Sequence, residues 1–257
     1  MIKGGEIPTE SFKPLYKELY SDKVKVYIES IKPYGPPING AYLRPFFPQV
    51  GREYEKQKIK LLFVGKATDG WVLPADEYDE SKFFHDQDNG LANIKDQMVW
   101  VEEASKNRGH EAHSHAKSHF WRFIKSITQE AHNVIDGYSN YIAWTNLYKL
   151  SLERGNPPQA LKTAQFDACV RILREEIKLF EPTHIVFLTT RWEHPFLVKL
   201  GLNEYGDEIC SELPLWIQKD AQGRYYIQTV HPERKPKDII SRLKSEIIKL
   251  IKKSKQH

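Results

Sequence analysis

Cysteine is nearly absent from this chain, with only Cys169 and Cys210 among 257 residues. The two are far apart, so neither a disulfide framework nor the short-spaced pair of a zinc or iron–sulfur site is expected, and each reads as a buried, reduced thiol. Long apolar runs are missing as well. No stretch approaches the roughly 18 uninterrupted apolar residues that a membrane span needs, and the opening Met1-Ile2-Lys3-Gly4-Gly5-Glu6 has no apolar leader region. A soluble, cytoplasmic protein is the expectation. Internal repeats are absent, and so is a strong excess of one charge: 38 Lys and Arg stand against 34 Asp and Glu, for a net +4. That balance permits a polyanionic partner without requiring one. The basic tail, Lys249, Lys252, Lys253 and Lys255, reads as a solvated helix end, where cations are favoured.

What is present is the composition of a folded globular protein, 40% hydrophobic and 28% charged. A chain of this length can bury one sizeable core, and a single domain is expected. Its one biased segment runs from Pro33 to Gly51, with Pro36-Pro37, Gly40, Pro45 and Pro48, and cannot be helical. Before it, from Glu10 to Ile31, Phe12, Leu15, Leu19, Val24, Tyr27 and Ile28 form a helical apolar stripe. Residues 1–57 are therefore expected to form a helix and a Pro/Gly-rich extension, packed on a domain spanning 58–257.

From Lys58 onward, short apolar runs alternate with longer amphipathic ones, as in successive βα units. Four runs have strand length and β-favouring residues: Ile59 to Val64, Tyr141 to Trp144, His184 to Leu188 and Tyr225 to Val230. Crossover helices are expected over Ser118 to Ala131 and Ala160 to Phe180. A closing helix is expected over Asp238 to Ile251, with Pro236 at its start. The expected fold is α/β: a single three-layer domain with a central, mainly parallel four-stranded sheet flanked by helices. In such sheets ligands bind outside the carboxyl ends of the strands. The residues that follow each strand are therefore the informative ones.

Those residues are Gly65-Lys66-Ala67-Thr68-Asp69-Gly70-Trp71, Thr145-Asn146-Leu147-Tyr148-Lys149, Thr189-Thr190-Arg191-Trp192 and His231-Pro232-Glu233-Arg234-Lys235-Pro236. A strand into a Gly-led loop, a strand into Thr-Asn-x-x-Lys, a helix into Glu-Pro-Thr-His-Ile-Val-Phe-Leu and a last strand into His-Pro resemble, in this order, the uracil-DNA glycosylase-like superfamily. The likeness covers about Lys58 to the C-terminus and rests on the ordered set, because each motif alone is weak.

The resemblance implies a glycosylase that hydrolyses the N-glycosidic bond of uracil or a related damaged base in DNA, with no cofactor. By the same resemblance Asp69 orients the attacking water, Asn146 reads the edge of the base and His231 donates to the leaving base. Gly65, Lys66 and Arg191 would line the substrate pocket. Trp71, Phe83 and Phe84 are alternative stacking rings, with Trp71 the one assigned to the pocket. Arg234, Lys235 and Lys237, together with Arg191, would meet phosphates. After the His-Pro, family members tend to have small residues where this chain has Glu233-Arg234-Lys235. That difference leaves open a second function, binding a nucleic acid or nucleotide without cutting it. A run of histidines, His110, His113, His115 and His119, lies near Glu111, Asp86 and Asp88. His115 and His119 would share a face if the helix began early enough, at the spacing of two zinc ligands. Histidines in a polar, serine-containing loop are more often exposed than ligating, so no metal is assigned.

Overall fold

The computed structural model describes residues 7, 12–19, 23–24, 26–27, 41–43, 46–67, 72–74, 98, 101, 117–151 and 155–254. Asp69, Trp71, Phe83, Phe84, His110, His113 and His115 fall outside them, as do Asp86, Asp88 and Glu111.

Helix α1 spans Lys13–Leu19, and the strands β1 (Ala41–Leu43) and β2 (Gln49–Val50) follow. Next come β3 (Leu61–Gly65), β4 (Val72–Pro74), α2 (His119–His132), β5 (Ile142–Asn146) and α3 (Gln159–Phe180). The chain continues through β6 (His184–Leu188), α4 (His194–Lys199), β7 (Asp207–Glu208), β8 (Leu215–Lys219), β9 (Tyr225–Thr229) and α5 (Lys237–Lys253). β1 and β4 pair with each other, while the other strands form one seven-stranded sheet in the order β2-β5-β3-β6-β9-β8-β7.

The α/β class holds, but the sheet has seven strands rather than four, and it is mixed. The four expected strands are its parallel centre, β5-β3-β6-β9. β2, β8 and β7 run antiparallel to their neighbours and extend both edges. The central strands are mostly apolar because both of their faces are covered, with polar residues such as Thr145, Asn146, Gln228 and Thr229 toward their carboxyl ends. Leu62 and Val64 point into one core with α1, α3 and α4, whereas Leu61 and Phe63 point into the other with α2 and α5. Described residues before position 58 contribute to the first of these cores. Phe12 and Tyr16 are fully buried, and the Tyr16 hydroxyl donates to the Phe46 carbonyl at 2.7 Å.

Local chemistry sets the helix ends. Ser118 caps α2 by accepting the Trp121 N–H, and its last turn closes on Asn133 in the left-handed conformation, φ 56°. The cap fixes the start of α2 at His119, and His115 lies outside the described residues. α5 follows Pro236 and buries Leu243, Ile247 and Ile251 at four-residue spacing. α2 lies between β3 and β5 in the chain and packs on one face, while α3 lies between β5 and β6 and packs on the other. The crossovers thus diverge from β3, and the crevice between the β3 and β6 ends is where a doubly wound sheet binds its ligand.

Among the described residues no helix is long and apolar enough to cross a membrane. Both cysteines are free, but only Cys169 is buried; Cys210 is half-exposed, against the expectation for both.

Candidate functional site

The parallel register sets Gly65 directly beside Asn146 at the ends of β3 and β5. The β5 chain then continues along the first loop, with Leu147 N–H donating to Gly65 O at 2.9 Å and Tyr148 N–H to Lys66 O at 3.0 Å. A Cβ on Gly65 would collide with Asn146 Oδ1 and meet Phe120 Cζ at 3.5 Å, so this position is kept free of a side chain by the site itself. Asn146 is 2% exposed, and its Nδ2 has no hydrogen-bond partner among the described residues. A buried amide donor without a partner is costly, and it is a group that a ligand can satisfy.

His231 completes the group. Its backbone N–H donates to Thr190 Oγ1 at 2.9 Å, and its ring stacks on Phe120 with centroids 5.8 Å apart. Nδ1 accepts the Glu233 N–H at 3.3 Å, which assigns the ring proton of the neutral form to Nε2. Burial, then the Lys66 cation, with His119 and Lys235 adding to it and Glu233 opposing, pushes the imidazole pKa down to about 4. The ring is therefore neutral at physiological pH and presents Nε2–H as a donor.

Lys66 is held below the usual lysine range, first by burial and then by Lys235, with the Glu233 and Glu193 carboxylates opposing. Glu193, nearly inaccessible, takes the Thr189 hydroxyl proton in a hydrogen bond, and burial raises its carboxyl above the usual range. Thr190 and Arg191 both have left-handed backbones, φ 54° and 70°. For a β-branched threonine this is a strained conformation, of the kind that clusters at functional sites.

Gly65, Asn146, Thr190 and His231 thus meet along one rim. The other candidates divide. Arg191 lies over the rings of Tyr205 and Trp216. Arg234 and Lys235 are exposed on the His231 loop, Arg234 lying 3.7 Å from Glu233, and Lys237 is the exposed first residue of α5. Asp69 and Trp71 lie outside the described residues. His119 is exposed, and among the described residues no group of three His, Cys, Asp or Glu side chains could hold a metal.

Two contributors were not singled out from the sequence. Phe120 lies within the expected crossover helix, and the Ser118 cap puts it in the first turn, beside the strand ends. The Thr-Asn-x-x-Lys motif holds a buried ion pair: Lys149 Nζ lies 2.7 Å from each of Glu176 Oε1, Thr145 Oγ1 and the Asn146 carbonyl. Gln165 adds to it by accepting the N–H groups of Lys149 and Leu150 and donating to Leu150 O. Lys149 therefore fixes the loop that aims Asn146 and does not itself reach a ligand.

A cleft of about 1020 Å³ opens elsewhere, between the end of α3 and the β8–β9 turn, lined by Arg174, Glu181, Gln218 and Tyr226 among others. It lies at the opposite end of the sheet from His231, and two of its charged residues, Arg224 and Asp220, pair with each other at 2.6 Å. The rim, with its unpaired amide and neutral imidazole, is the better site. No family model matches the chain, and neither does any curated protein.

Proposed function

We propose that this protein binds a nucleobase carried on DNA in the crevice between β3 and β6 and hydrolyses its N-glycosidic bond, acting on uracil or a related damaged base in base excision repair. The observation that carries this reading is the pairing of two donors, Asn146 Nδ2, which has no partner among the described residues, and the Nε2–H of a neutral His231, beside a stacked aromatic ring. Two such donors suit the carbonyl oxygens of a uracil-like edge. As the bond to the sugar breaks, negative charge gathers on the base, and a fixed donor aimed at it lowers the barrier. In this scheme Asp69 orients the attacking water. Extrusion of the nucleotide costs a few kcal/mol and is offset by phosphate contacts from Lys66, Arg234 and Lys235. The setting we infer is the cytoplasm.

A second reading, binding without cleavage, draws support from Glu233. Its exposed carboxylate stands on the His231 loop, where an incoming phosphate would meet repulsion. One experiment separates the two: release of free base from uracil-containing single- and double-stranded oligonucleotides. We expect release by the wild type and a loss of about a hundredfold to a thousandfold in His231→Ala, with the fold retained. No release from any substrate by folded wild-type protein would leave binding alone.

A further inference from the structure

We propose that the turn 189–193, together with Lys162, Tyr205 and Trp216, forms a track along the rim for single-stranded nucleic acid, binding phosphates through its cations and unstacked bases through its rings. The inference rests on the nucleic-acid reading above and adds to it the strand state and the path. Three cations converge here on three aromatic rings. Lys66 and Lys162 lie over Trp192 at 5.1 and 4.5 Å, and Arg191 lies over Tyr205 and Trp216 at 5.8 and 5.7 Å. None of the three has a carboxylate within salt-bridge distance among the described residues, whereas Lys60, Arg171, Arg224, Arg242 and Lys252 all do. Lone cation–ring pairs occur elsewhere, as at Lys125, Lys219 and Lys244. Among the described residues only this turn gathers several.

Helix stability does not account for Lys162. It stands in the first turn of α3, which has no acidic residue, and a cation is unfavourable at that end of a helix. Arg191 is aimed by a turn that is fixed from both sides: Thr190 holds the His231 backbone and Thr189 binds the buried Glu193. Tyr205 is 45% exposed, and Trp192 and Trp216 are half-exposed. Half-open rings interleaved with unpaired cations are what a strand with free base faces can use, and a duplex hides those faces. The track begins at Lys66, next to His231, so a strand lying on it would lead into the crevice.

The test uses the full chain and a fluorescein-labelled oligothymidine of about 12 nucleotides, within the usual span of a single-strand site. It contains no uracil, so excision plays no part. Anisotropy at several salt concentrations should show tighter binding than to a hairpin duplex of similar length. Combining Tyr205→Leu with Trp216→Leu should weaken single-strand binding roughly tenfold to several hundredfold and leave duplex binding little changed. Lys162→Gln should reduce the slope of log affinity against log salt by about 0.7, and it serves as the test if the leucine pair fails to fold. Equal affinity for duplex, an unchanged salt slope in Lys162→Gln, an unchanged affinity in a folded leucine pair, or no binding by the wild type would each overturn the proposal. Base release from a uracil-containing trinucleotide, too short to cover the track, reports the crevice alone. Its failure with oligothymidine binding intact sinks the excision reading and leaves this one standing.

Discussion

At His231, burial and the Lys66 cation together decide which form of the ring the site contains. With the pKa down at about 4, the imidazole keeps the same protonation state from neutral pH to about pH 5. Base release should therefore show no acid limb from His231 above pH 5, and a profile falling with a midpoint near 6.5 would mean that the ring is not desolvated as the structure has it. Gly65 gives a second prediction at this scale. A Cβ there meets a side chain, Asn146 Oδ1, whereas at Gly51 it would strike the backbone carbonyls of Asn140 and Ser139. A side chain can turn and a packed backbone cannot. Gly65→Ala should therefore cost about 1–3 kcal/mol of stability and impair recognition by displacing the amide, while Gly51→Ala should cost more in stability. Urea unfolding of both variants, with base release for the first, checks the contrast.

Among the elements, the loop after β5 depends most on a single interaction. Lys149 and Glu176 are both completely inaccessible, and burial raises the Glu176 carboxyl above its usual range while Lys149 and Thr145 oppose. Removing one partner leaves a buried charge alone, so Lys149→Met or Glu176→Leu should each destabilise by about 3–5 kcal/mol, with the double variant losing far less than their sum. A double-mutant cycle in urea measures this, and additive losses would show that the ions do not depend on each other. Elements differ in how far they can be read from the chain. β3, β5, β6 and β9 are legible because each is buried on both faces and so carries a run of apolar residues. β2 and β7 have only two residues each, and in β8 only Leu215 is buried, so neither alternation nor continuous burial marks these outer strands. The same division runs through the site. Gly65, Asn146 and His231 end apolar strands and can be found there. Phe120 and Lys149 take their roles from contacts with residues 24 to 111 positions away, Trp144 and His231 for the first and Glu176, 27 positions on, for the second.

Across the whole molecule the two ends of the sheet have different work. The carboxyl end carries the rim, and the amino end carries the fastening of the last helix. There His184, 2% exposed, accepts the Thr183 hydroxyl at Nδ1 and donates from Nε2 to Ser254 Oγ, each at 2.9 Å. Ser254 spends its own proton on Ile251 O at 2.7 Å, at the end of α5, so its oxygen is free to accept. The ring also stacks on Tyr225, with centroids 5.0 Å apart. Burial pushes the His184 pKa down to about 4, whereas the unfolded chain protonates near 6.5. Between those values the unfolded state binds more protons than the folded one, so stability is complete above about pH 6.5 and is lost as pH falls toward 4. The loss from this one group should reach roughly 3 kcal/mol. His231 shifts in the same direction but is half-exposed and adds less. In His184→Gln the folded and unfolded states no longer differ in proton binding at this position, so the variant should be less stable at neutral pH yet show a shallower decline between pH 6.5 and 4. Urea unfolding across that range decides the matter: parallel curves for wild type and variant would mean that His184 does not bind α5 to the sheet as a neutral ring.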